Sequence, residues 1–106
     1  MKAAVACWHD RISPVFDVSH ELCIIDIEKG QEVRRATVAL NAWGSFQRAE
    51  ELCRLGVEVL LCGAVSNALE TALISSGIQV LSFLCGDLAA IIQAFLMGKA
   101  KQARVF

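Results

Sequence analysis

Neither charge sign dominates this chain, and none of its cysteines form a C-x-x-C pair. Ten Lys and Arg stand against eleven Asp and Glu, for a net charge of −1. Without a basic excess there is no electrostatic footprint for nucleic acid or an anionic membrane surface. The cysteines, Cys7, Cys23, Cys53, Cys62 and Cys85, are five. An odd number without close pairing argues against a secreted disulfide framework, so reduced thiols and a cytoplasmic setting are expected. No apolar run approaches the ~20 residues that span a bilayer. The apolar start after Lys2 is too short for the core of a signal peptide. There is a single proline, and 56% of residues are hydrophobic, which excludes disorder as the default state. The 106 residues fit one domain, 1–106. A chain of this size buries roughly two-thirds of its unfolded surface.

What is present is a clear change of period along the chain. Residues 2–7 form a short apolar run and predict a buried strand. The stretch 8–19 predicts a loop, with Ser13-Pro14 as its turn signal. Leu22, Ile24, Ile25 and Ile27 predict a strand over 21–28, and Lys29-Gly30 a hairpin turn into a strand over 31–40. Ser45 then offers an N-cap. Phe46, Ala49, Leu52, Cys53 and Leu55 fall at helical spacing before Gly56, so a helix is expected there. Residues 57–61 predict a strand. Asn67 with Glu70 resembles a capping box opening a helix over 68–76, which Gly77 stops. A further strand over 78–84 leads to Asp87 as N-cap of a helix over 88–97, and the tail 99–106 is basic, then apolar. The segments G-V-E-V-L-L at 56–61 and G-I-Q-V-L-S at 77–82 repeat one strand–helix unit. This order predicts a three-layer α/β fold around a five-stranded mixed sheet, with one antiparallel strand and three helices.

In such sheets ligands sit outside the carboxyl ends of the parallel strands. Three predicted strands end there in cysteine: Cys7, Cys62 and Cys85. Two exits continue as Cys62-Gly63 and Cys85-Gly86, where backbone could approach a ligand closely. Helix N-termini at Ser66-Asn67 and Asp87 would favour an anion. His9 follows Cys7 by two residues and shares its direction if the strand persists. The expected site is therefore an anion pocket. Cys7, Cys62 and Cys85 are its candidate metal ligands, with His9, Arg11, Ser13, Gly63, Ser66 and Asn67 around them. Thiolates suit soft metals and iron–sulfur clusters. The competing expectation is packing, since cysteine is among the most buried residues; Cys23 and Cys53 are assigned to it. Trp8 is expected as a core or rim anchor.

The segments MKAAVA, ISPVF (12–16), ELCIIDIEKG (21–30), RAEELCRLGVEVLLCGAVSNAL (48–69) and AFLMGK (94–99) carry a family resemblance. Together they resemble the dinitrogenase iron–molybdenum cofactor biosynthesis family. That family includes NifX-type proteins, the C-terminal region of NifB-type proteins and orange-protein-type members. The resemblance spans almost the whole chain. It implies a ribonuclease H-like fold and a non-enzymatic protein that binds or carries a metal–sulfur cluster or its precursor. Implied partners are cluster donor or acceptor proteins; the 56% hydrophobic content separately leaves room for a homo-oligomer face. Where many members read H-F-G, this chain reads Val15-Phe16-Asp17.

Three other functions compete. A ribonuclease H-like nuclease needs several carboxylates converging on two metals, and the strand over 2–7 has none. A thiol redox or regulatory module would use a cysteine at a helix N-terminus, with Cys85 the candidate. A partner-binding scaffold would use no cofactor. The expected function is cluster binding, without catalysis.

Overall fold

The computed structural model describes residues 1–98; the basic tail lies outside the described residues. The elements are β1 (Lys2–Trp8), β2 (Arg11–Ile12), β3 (Glu21–Glu28), β4 (Gln31–Ala39), α1 (Ser45–Arg54), β5 (Val59–Leu61), α2 (Asn67–Ser75), β6 (Gln79–Leu81) and α3 (Leu88–Leu96). A 3-10 turn, Phe16–Val18, precedes β3. The sheet order is β4-β3-β1-β5-β6, with β2 paired to β1 off this path. Strands β1, β5 and β6 are parallel, and β3 runs antiparallel to both β1 and β4. The α/β class and the three helices agree with expectation. The strand count does not: the sheet has six strands. The extra one, β2, is two residues long and antiparallel to β1. Its signal was invisible because two residues carry no period.

The strand period of two sorts side chains to the two faces of the sheet. Ala3, Val5 and Cys7 of β1, Val59 and Leu61 of β5, and Leu81 of β6 join Ile91 and Ile92 of α3 in one core. Ala4, Ala6, Leu60 and Cys62 join Ala49 and Leu52 of α1 and Leu69 and Leu73 of α2 in the other. Three layers result. Four alanine and cysteine side chains on β1 leave room for helices on both sides of the central strand.

Helix ends deviate from expectation in instructive ways. The N-cap of α1 is Gly44 at φ 88°, not Ser45, which is already helical. That same helix turns Arg48, Ala49 and Leu52 inward, while Phe46 and Cys53 are exposed. The N-cap of α2 is Ser66, whose Oγ accepts from the Leu69 N–H at 3.3 Å; Asn67 is the first helical residue. Asp87 caps α3 as expected, accepting from the Ala90 N–H at 3.1 Å. Strands expected over 57–61 and 78–84 shorten to Val59–Leu61 and Gln79–Leu81. At the open border, β4 is mostly exposed, and a bulge between Asp26 and Ile27 interrupts its pairing with β3.

The predicted loop 8–19 is a strap. It crosses the carboxyl ends of the parallel strands and bonds to both later exits. The Ile12 N–H donates to the Gly86 carbonyl (3.0 Å), and the Leu88 N–H to the Asp10 carbonyl (2.8 Å). Farther along, the Ala64 N–H donates to Pro14 and the Phe16 N–H to Ala64, each at 2.8 Å. A Cβ on Gly63 would lie 2.5 Å from the Pro14 carbonyl oxygen and 2.6 Å from that of Ser13. Backbone atoms cannot yield as a flexible side chain would. Gly63→Ala is therefore expected to cost about 2–3 kcal/mol by overpacking, read as a lower denaturant midpoint at unchanged slope; an unshifted midpoint would refute the close approach.

Candidate functional site

The carboxyl edge gathers the exits of β1, β4, β5 and β6 and the entry to β3. Its crevice between β1 and β5 is filled by the strap. Gly63 thus serves the chain's own backbone, not the close approach of a ligand that its place after Cys62 suggested.

The three strand-exit cysteines do not come together. Register pairs Ala6, not Cys7, with the level of Cys62, so the two side chains lie on opposite faces. Cys7 packs in the α3 core and Cys62 in the α1/α2 core; Cys85 is exposed in the loop after β6. Among the described residues, no three His, Cys, Asp or Glu side chains group closely enough to hold a metal ion. Nor does the strand persist to His9. That residue has φ 58°, is exposed, and its ring rests 4.5 Å from the Trp8 ring. Arg11 is exposed on β2. Buried Ser13 turns its Oγ toward the Val15 carbonyl at 3.5 Å.

The anion positions at two helix N-termini are filled from within. Asp87 occupies the start of α3 with the Asp10 carbonyl. At α2 the occupant is Asp17, whose carboxylate accepts from the Ser66 N–H (2.9 Å) and the Ser66 Oγ–H (2.6 Å). Asp17 stands where the resembled family often has glycine, and this capping role was not foreseen.

A cavity of about 200 Å³ opens beside the end of β1, lined by Cys7, Trp8, Ser13, Pro14, Val18, Ser19 and His20. It brings Cys7 and Ser13 together with His20, a residue outside the expected anion pocket. Burial pushes the Cys7 thiol up to about 11, with help from Cys23 and the Glu21 carboxylate. Cys7 is therefore a protonated thiol at neutral pH, and a metal would have to displace that proton. The rim is aromatic. Trp8, Trp43, Phe46 and Phe83 are 62%, 65%, 70% and 64% exposed, and all four lie at this edge. Phe83 is held at φ 62°, a left-handed conformation costly for a side chain of its size. The aromatics gave a weak sequence signal because they lie far apart in the chain, at positions 8, 43, 46 and 83, and only the fold gathers them.

Known proteins resemble this chain in structure over nearly all of its length. No protein-family model matches it, and no curated protein matches it. Solved structures do. It is similar to a proposed dinitrogenase from Methanocaldococcus jannaschii at 18% identity and TM-score 0.77, covering 93% of this chain and 90% of that one. A proposed NifB protein from Thermotoga aligns at 26% identity and TM-score 0.69, covering 92% and 89%. The apo form of the orange protein from Desulfovibrio gigas aligns at 25% identity and TM-score 0.77, covering 92% and 88%. The resemblance read from the sequence thus holds in three dimensions. Among the described residues no helix is long and apolar enough to cross a membrane.

The Cys7 shift has a consequence for stability. Its folded-state value lies above the ordinary 9.0, so the unfolded chain loses this proton first as pH rises. The contribution is complete below pH ~9 and is lost between ~9 and ~11, a decline of about 2–3 kcal/mol. Denaturant melts across that range should show wild type losing more stability than Cys7→Ala; parallel curves would refute it.

Proposed function

We propose that this protein binds or carries an anionic metal–sulfur cluster, or a precursor of one, at the carboxyl edge of its sheet, without catalysing a reaction. One observation supports this above the others. The chain shares its fold over 92% of its length with the orange protein and with a proposed NifB protein. The family it resembles implies that role.

The donor set narrows how such cargo is held. Cys7, Cys62 and Cys85 do not form a three-thiolate cradle. Of these three, Cys85 is exposed, and Cys7 lines the cavity together with His20. Direct contact falls to these two. The remaining hold comes from shape and from the soft aromatic surface of Trp8 and Phe83. Both belong to segments joined by the strap's bonds to Gly86 and Leu88. The same rim suits a cluster donor or acceptor protein, since exposed aromatics are enriched at interfaces.

The test is anaerobic reconstitution of the full chain with iron, sulfide, molybdate or copper, followed by metal analysis and a visible spectrum. Wild type should retain metal and sulfide and show charge-transfer bands. Cys85→Ser and Cys7→Ser should alter those bands, and Cys62→Ser should not. Metal at background with a featureless spectrum would overturn the proposal. Bands unchanged in a Cys7/Cys62/Cys85→Ser variant would exclude thiolate contact.

A further inference from the structure

Among the described residues Arg48 is a buried cation, 1% exposed, on the inward face of α1. Its Nη1 donates to the Phe16 carbonyl at 3.1 Å. Its Nε and Nη2 are buried and make no hydrogen bond within the described residues. These two N–H groups form one edge of the guanidinium plane, the edge that matches two oxygens of an oxyanion. The guanidinium lies 5.6 Å from the Phe16 ring centre and 5.9 Å from that of Trp43. The nearest acid acting on it is Asp17, whose carboxylate is already engaged by Ser66. Burial works against the charged form, lowering the Arg48 pKa from its ordinary range. An arginine in these proteins stays charged regardless. A buried charge with two unmet donors is costly unless something pairs it.

One neighbour of the guanidinium is itself largely exposed. Trp43 touches Arg48 on one side and is 65% exposed on the other. It sits in the loop between β4 and α1, next to Gly44 at φ 88°. Its second ring contact is edge-on to exposed His20 at 5.8 Å. Trp43 and Gly44 lie between β4 and α1, outside every strand, so the Trp43 ring can move without disturbing the sheet. We propose that Arg48 is the base of a compact oxyanion site closed by Trp43. The ligand class is a small carboxylate or a tetrahedral oxyanion seated bidentately on Nε and Nη2. The site uses none of the candidate thiols; it shares with the cluster proposal the rim residue Trp43, whose ring contacts His20 of the Cys7 cavity.

The experiment is NMR of the nitrogen-labelled full chain, following the Arg48 Nε–H and Trp43 indole N–H signals. Sodium phosphate, sulfate and acetate are titrated at ionic strength held constant with chloride. Saturable shifts of both signals are expected, with half-saturation at about 10 mM or below. Acetate acting alone would identify a carboxylate site; phosphate and sulfate acting would identify a tetrahedral one. Arg48→Lys keeps a cation but loses the fork, so the Trp43 shift should weaken by about tenfold or more. Trp43→Ala should leave the Arg48 signal responsive and speed exchange of the ion. Shifts that stay linear with every salt, or a Trp43 response equal in wild type and Arg48→Lys, would overturn the proposal. Arg48→Met, an apolar replacement of similar length, serves as the second variant, and buried charges often tolerate such exchange. It should fold and lose the response; a folded Arg48→Met that still responds would overturn it equally.

Discussion

Everything at the carboxyl edge depends on one close approach, that of the Ser13–Pro14 backbone to the α-carbon of Gly63. A missing methyl group lets the strap lie flat between the exits of β1 and β5. Once there, its amides and carbonyls find partners on Ala64, Gly86 and Leu88. Buried backbone groups must be paired somewhere, and the strap pairs both itself and the loops it crosses. The topology leaves a crevice that α/β sheets commonly use for ligands. This chain closes that crevice with its own main chain and moves the accessible chemistry outward, to the cavity at Cys7 and to the aromatic rim.

Electrostatics follows the same pattern of self-sufficiency, with one exception. Asp17 and Asp87 place carboxylates at the starts of α2 and α3, where the macrodipole favours negative charge. The glycine-to-aspartate difference from the family pattern thus has a local cause: Asp17 fixes Ser66, and Ser66 caps α2. Arg48 is the exception, a buried cation beside Phe16 and Trp43 with one hydrogen-bond acceptor among the described residues.

The fold was largely legible because its signals are long-range and periodic. Apolar runs, Gly56 and Gly77 after helices, and the repeated strand–helix unit specified the parallel half. The hairpin β3–β4 followed from Lys29-Gly30, which stands at φ 54° and φ 76°. The candidate site was legible only in part. Being at the ends of neighbouring strands placed Cys7 and Cys62 at one edge, and a one-residue difference in register put them on opposite faces. Strand-end positions carry that parity only once the pairing is known. His9 does not continue the direction of Cys7, because a left-handed turn breaks the alternation after Trp8. Arg48 was hidden because a charged residue on a helix is read as solvated, and only packing against Phe16 shows otherwise.

The outermost strand has a consequence of another kind. β4 is the longest strand, nine residues, and presents an unpaired border with both of its faces largely in water. Such a border invites copies of the chain to add themselves strand by strand. Here Gln31, Glu32, Arg34 and Arg35 crowd its first half, Arg35 gripping Glu32 with two bonds of 2.7 Å. The bulge at Asp26/Ile27 twists the same stretch out of regular pairing. A molecule that displays four exposed aromatics at one end therefore keeps its stickiest geometry, the open sheet border, guarded by charge and curvature. Strand-by-strand growth along this border is thereby disfavoured.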